Sequence, residues 1–155
     1  MVRLHCSPAL VDIPDADCIE RLNQVARRTL RSHDAGGIVD VILTDDEEVR
    51  RLNCSYRGRD QATDVLSFSF VEQGQETVIA PEFFLTQDMP AGEVYISVER
   101  AGAQAKELGV ATDEELARLL VHGLLHLAGY DHQTESELLI MEQRTEQLLS
   151  PISDA

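Results

Sequence analysis

From Leu119 to Ala128 the chain consists of apolar residues and one glycine, interrupted only by His122 and His126. A helix that is apolar nearly all round must be enclosed by protein, so this segment predicts a buried helix with a domain built around it. The two histidines stand four apart and therefore share one face of that helix. Imidazoles in such a place need polar partners. Gly129 is placed to end the helix in a left-handed turn. Beyond it the chain reverses and can bring His132 back toward the first two. Three imidazoles around one point, with a fourth position open to water, is the arrangement that catalytic zinc takes. The expectation is one Zn2+ held by His122, His126 and His132. The competing reading makes His122 and His126 hydrogen-bonded core residues and His132 an unrelated surface residue. Gly123 costs about 1 kcal/mol relative to alanine in a helix interior, and a close neighbour such as a substrate is expected to account for it. His5 and His33 are isolated and read as ordinary histidines.

The rest of the chain supplies a sheet and more helices. Val2 and Leu4 begin a short edge strand. After Pro14 and Asp17, the residues Ile19, Leu22, Val25, Ala26 and Leu30 fall on one helical stripe, which Gly36-Gly37 break. Ile38 to Leu43 is rich in β-branched residues and reads as a buried strand. Thr44-Asp45-Asp46-Glu47 has the pattern of a capping box, opening a helix to about Asn53. Residues 55–64 read as a polar loop. Val65 to Phe70 alternates as a strand does, with Leu66, Phe68 and Phe70 on one face. Residues 71–91 match no period and read as a long excursion with some hairpin character. Val94, Ile96 and Val98 mark a further strand. Helices follow at about 99–108, 113–128 and 135–149, the last two opened by the capping-box patterns Thr112-x-x-Glu115 and Thr134-x-x-Glu137. The fold class is α+β: a single domain over 1–150, a mixed four-stranded sheet covered by about five helices, one of them a zinc-hydrolase-like helix carrying two His ligands. Residues 151–155 form a short tail.

Length and charge exclude other classes. At 155 residues the chain has the size of one domain. No apolar run approaches the roughly 18 residues a membrane-spanning helix needs. Met1 to Cys6 shows no apolar core followed by a cleavage site, so no signal peptide is expected. Cys6, Cys18 and Cys54 have no C-x-x-C spacing and read as free thiols of a reducing compartment, the cytoplasm. The net charge of −15 rules out a uniformly basic nucleic-acid-binding protein. Residues 71–155 hold sixteen acids against four bases, and Lys106 is the only lysine of the chain. An anionic substrate must therefore be met by particular arginines rather than by a general field.

Two such arginines, Arg57 and Arg59, flank Gly58 in the predicted loop. A guanidinium there can clamp a phosphate bidentately, with Asp60 and Asp64 orienting the arginines or stiffening the turn. A solvated surface ion pair is the plainer reading of the loop alone, and Tyr56 reads as packing rather than as a base platform. The histidine spacing matches the long zinc-protease signature H-E-x-x-H-x-x-G-x-x-H except that Gly123 replaces the glutamate, which argues against a peptidase.

Tyr56-Arg57-Gly58, Thr63-Asp64-Val65-Leu66-Ser67-Phe68 and the stretch from His122 through Gly129-Tyr130-Asp131 to His132 together resemble the signatures of the YbeY family, bacterial metal-dependent endoribonucleases that act as rRNA maturation factors. The resemblance covers about residues 40–145. It departs at Gln61 and Ala62, where family members usually show Lys and Pro, and at Gly92-Glu93, where they often show Gly-Asp. It implies a single-strand-specific endoribonuclease working in 3′ maturation of small-subunit (16S) ribosomal RNA and in ribosome quality control. It also implies His122, His126 and His132 as zinc ligands, Arg57 as the catalytic residue on the RNA phosphate, and a small-subunit ribosomal protein and an Era-type GTPase as partners; Arg59, from the loop itself, is read beside Arg57 as substrate-binding. Two alternatives remain open: a zinc metallopeptidase-like hydrolase, and a non-enzymatic ribosome-assembly factor with a structural metal, for which Cys54 is the candidate fourth ligand.

Overall fold

The computed structural model describes residues 1–32, 37–70, 90–130 and 133–150. His33, His132, the excursion up to residue 89 and the tail from 151 lie outside the described residues. Among the described residues the elements run β1 (Val2–Cys6), α1 (Ala16–Ser32), β2 (Ile38–Thr44), α2 (Asp46–Arg57), β3 (Val65–Ser69), β4 (Pro90–Ser97), α3 (Val98–Leu108), α4 (Thr112–Leu127) and α5 (Glu135–Leu149). The strands form one sheet in the order β1-β2-β4-β3. β1, β2 and β4 are parallel, and β3 runs antiparallel to β4 along the far edge. The described residues adopt the expected α+β class, with a mixed four-stranded sheet and five helices. None of the helices among the described residues is long and apolar enough to cross a membrane.

The segment with the most continuous apolar run takes the central place. α4 packs against α1, α3, α5 and the β3–β4 side of the sheet. Leu116, Leu119, Leu120 and Leu124 join Leu22 of α1, Leu43 of β2 and Ile96 of β4 in one core. Val121 and Leu125 face the other way, toward Met141 and Leu148 of α5. Both sides of α4 are thus covered, as its lack of a polar face requires. Glu115, in its first turn, is only 1% exposed, and its carboxylate takes the Arg118 guanidinium bidentately at 2.7 and 2.5 Å. A carboxylate removed from water needs such a partner to remain charged.

Several element ends differ from the sequence-based expectation, each for a local reason. Thr44 is not the cap of α2: it still pairs with Ser97 in the β2–β4 ladder, and Asp45 accepts the Glu48 N–H instead. α2 does not stop near Asn53 but continues to Arg57, where Gly58 closes it at φ 67°, a left-handed conformation that favours glycine. Val98 belongs to α3 rather than to the strand, because the Ser97 hydroxyl accepts the Arg100 N–H and starts a helix there. Thr112 lies inside α4, whose cap position, Ala111, makes no side-chain bond. Thr134 does cap α5, accepting the Glu137 N–H at 3.1 Å.

Arg28 of α1 ties the two ends of the fold together. Its guanidinium donates to the Gln147, Leu148 and Ser150 carbonyls, which the end of α5 leaves without helical partners. Arg28→Ala is expected to lower stability by about 1–3 kcal/mol, the range for hydrogen bonds to a charged group. Urea denaturation of the purified protein measures this, and Arg28→Lys should recover only part of it because an ammonium cannot reach three carbonyls as a fork does.

Candidate active site

α4 brings His122 and His126 to the wall of a cleft of about 920 Å³ that is also lined by residues of β3, the end of α2 and the segment joining them. The turn after α4 holds the second ring. Gly129 adopts φ 101°, the Tyr130 N–H returns to the Leu125 carbonyl at 3.0 Å, and the Tyr130 carbonyl then faces His126 Nδ1 at 3.1 Å. A carbonyl can only accept, so this contact places a proton on Nδ1, and in the neutral tautomer the lone pair is then on Nε2. His122 is held neutral: burial foremost, then the Arg118 guanidinium and His126, push its imidazole down to about 4. Among the described residues it has no hydrogen-bond partner. Two imidazoles one helical turn apart on the same cleft are two of the nitrogen donors a zinc ion takes, and among the described residues no group of three His, Cys, Asp or Glu side chains completes such a set. His132 lies outside the described residues, while Tyr130 and Gln133 on either side of it in the chain both line the cleft.

Gly123 has a different explanation from the one its sequence context suggested. A Cβ built on it would meet Val94 Cγ1 at 2.6 Å, Val65 Cγ2 at 3.1 Å and Ser67 Oγ at 3.2 Å. The Ser67 hydroxyl donates to the Gly123 carbonyl at 2.9 Å. The close neighbour is the sheet, not a substrate: glycine lets α4 sit directly on β3 and β4. A glutamate at this position would point into the sheet. Gly123→Ala is expected to cost about 1–3 kcal/mol through overpacking, despite alanine's better helix propensity. A lowered urea midpoint with an unchanged slope would register it.

The arginines come from the end of α2 and the segment after it. Arg57 is the last residue of α2, not a loop residue. Its Nη2 donates to the Ser67 carbonyl at 2.7 Å, and its guanidinium lies 5.4 Å from the centre of the Phe68 ring. It lines the cleft together with Arg59. Arg59 is exposed, with its backbone N–H on the Asn53 carbonyl at 3.2 Å. The two aspartates do not orient these arginines. Asp60 pairs with Arg50 at 2.7 Å, and Asp64 accepts the Val65 N–H and Gln104 Nε2, so it stiffens the start of β3. Cys54 is exposed on α2 and is not among the residues that line the cleft.

Two contributors escaped the sequence reading. Asn53 is buried in α2 and donates to the Gln61 carbonyl at 2.9 Å, which folds the segment carrying Arg59 back against the helix. An asparagine among the inward positions of an otherwise polar helix is the signal that could have found it. Ser67 holds Arg57 through its carbonyl and α4 through its hydroxyl, and a lone serine in a strand gives no such sign.

Residues 10–153 match the family model described as Endoribonuclease YbeY. The Endoribonuclease YbeY of Dehalococcoides mccartyi strain BAV1 is 40% identical over 126 residues, which is 78% of this chain and 79% of the relative. That of Carboxydothermus hydrogenoformans is 37% identical over 142 residues, covering 92% and 90%. The solution structure of TM1509 from Thermotoga maritima superimposes with a TM-score of 0.59 at 24% identity, over 96% of this chain and 89% of the other. That likeness concerns the fold alone.

Proposed function

The chain belongs to the YbeY family, and on that premise we propose that it is a metal-dependent, single-strand-specific endoribonuclease. Its expected work is 3′ maturation of small-subunit ribosomal RNA and ribosome quality control in the cytoplasm, with a small-subunit ribosomal protein and an Era-type GTPase as partners. The observation that carries the reading is the meeting of His122 and His126 of α4 with Arg57 of α2 across a single cleft.

In this reading His122, His126 and His132 hold one zinc ion. Held by three neutral imidazoles, zinc keeps its full positive charge and supplies Lewis-acid activation of water or of a phosphoryl oxygen. The protein's own groups do the rest. The Tyr130 carbonyl fixes the His126 ring and its tautomer. Arg57 spends one donor on the Ser67 carbonyl, which anchors it, and has further N–H groups for a phosphate. There it opposes the negative charge that builds as the phosphodiester is cleaved. Arg59 adds a second cation at the mouth.

The rival readings gain no support from particular residues. The position at which a peptidase would carry its glutamate points into the sheet, and Cys54 stands off the cleft. The test is a substrate panel with the zinc-loaded protein: single-stranded and duplex RNA oligonucleotides beside casein and short peptides. Cleavage of single-stranded RNA alone is expected. Peptide cleavage, or no cleavage of any substrate by zinc-replete protein, would overturn the reading.

A further inference from the structure

Beside the cleft lies a group of aromatic side chains that the mechanism leaves without a role. Tyr56 and Phe68 meet at 5.5 Å between ring centres with an interplanar angle of 61°. Phe68 meets Tyr95 at 6.0 Å in the same inclined fashion. Phe70, just past β3 but still bonded through its N–H to the Ala91 carbonyl, shares the Phe68 face of the strand and is 49% exposed. Tyr56 itself is 72% exposed, so the packing that its sequence context suggested is limited to an edge contact on Phe68 that leaves most of the side chain open. Burial is what a tyrosine on a helix usually gains from its ring, and Tyr56 gains little of it.

Charge sharpens the question. Of the arginines around the end of α2, Arg50 is engaged with Asp60 and Arg51 with Glu48. Arg57 and Arg59 remain as the arginines lining the cleft, in a chain of net charge −15. Phosphate contacts supply most non-specific affinity for nucleic acid, and two of them supply little at physiological salt. Single-strand-binding proteins add stacking of unpaired bases on exposed aromatic rings, which needs no net positive charge. Here an exposed ring and a phosphate-ready guanidinium share a support. Tyr56 and Arg57 are consecutive at the end of α2, and both rest on Phe68.

We propose that Tyr56, propped against Phe68 beside Arg57, is the stacking platform for an unpaired RNA base adjoining the phosphate that Arg57 contacts. The proposal rests on the endoribonuclease reading and adds how the substrate is gripped and why it is single-stranded: a base held in a duplex has no free face to offer.

The test measures binding of a fluorescent single-stranded oligoribonucleotide by anisotropy, over incubations short enough that it stays intact. The proteins are zinc-loaded wild type, Tyr56→Phe, Tyr56→Ala and Tyr56→Leu, at low and at physiological salt. Tyr56→Ala and Tyr56→Leu are expected to weaken binding about tenfold, within the range for loss of one stacked base, and Tyr56→Phe by less than about twofold. The salt dependence should stay at the wild-type slope in all three, because no charge is removed. A matched set of oligonucleotides, each lacking one base, supplies the second readout. One abasic position should cost wild type a similar loss and cost Tyr56→Ala nothing. If both variants bind within about twofold of wild type, or the abasic penalty persists in Tyr56→Ala, the platform is refuted. Circular dichroism at the assay temperature identifies any variant that is merely unfolded, and Tyr56→Leu retains an apolar contact on Phe68. Wild type that neither binds nor cleaves single-stranded RNA would overturn the parent reading, an outcome distinct from the failure of Tyr56 alone.

Discussion

Purified His126→Ala protein is expected to carry about a tenth or less of the zinc held by wild type and to cleave RNA at the background rate. The expectation follows from the number of ligands. On the proposed set of three imidazoles, removing one would leave two donors and a site that no longer competes with water, whereas even losing a partner of a ligand commonly costs roughly 10–100-fold in affinity. Rate loss should be at least about a thousandfold, since several kcal/mol of charge stabilisation leave with the ion. The fold should survive. The ring lies at the wall of the cleft, half-buried, and its bond to the Tyr130 carbonyl is local and worth about 1 kcal/mol. Metal analysis and cleavage assays on the same preparation check both halves. A variant with full zinc content would remove His126 from the ligand set, whatever its activity.

Arg57→Ala should give the complementary result: unchanged zinc content, nearly unchanged stability, and a fall in kcat of about 10²–10³-fold, the loss typical for one group aimed at developing negative charge. Arg57→Lys should recover part of the rate and no more. An ammonium cannot both hold the Ser67 carbonyl and present a fork to a phosphate. Single-turnover kinetics with a saturating oligonucleotide separate this from a binding defect. Wild-type turnover by the alanine variant would leave Arg57 without a role in the chemistry.

The parts of this structure that were legible in the sequence are those where one periodicity dominates. The Ile19–Leu30 stripe became α1, the β-branched run became β2, and the apolar stretch with two histidines became the buried α4 with both rings on one cleft. The misread parts lie where local signals compete. Cys54, Ser55, Tyr56 and Arg57 continue α2 on an exposed face, so no apolar stripe announces them, and the true stop is Gly58. Thr44 looks like a cap because its neighbours are acidic, yet its ladder partner Ser97 keeps it in the sheet. Gly123 suggested a ligand because nothing in a linear sequence reveals that Val94, twenty-nine positions earlier, will press against its α-carbon. The same limit hid Ser67, whose importance comes from two long-range bonds.

One of those contacts has a mechanical consequence. The helix bearing the histidines is seated on the strand that bears the arginine's anchor, with the Val65, Ser67 and Val94 side chains set directly against Gly123, which has no side chain of its own. Close-packed surfaces of this kind yield little. The histidine-bearing helix and the arginine's anchor are therefore held at a set spacing, and on the proposed endoribonuclease reading the adaptation needed for a productive fit falls on the RNA. If the chain cleaves RNA as proposed, a flexible single strand should fit such a cleft more readily than a stiff duplex.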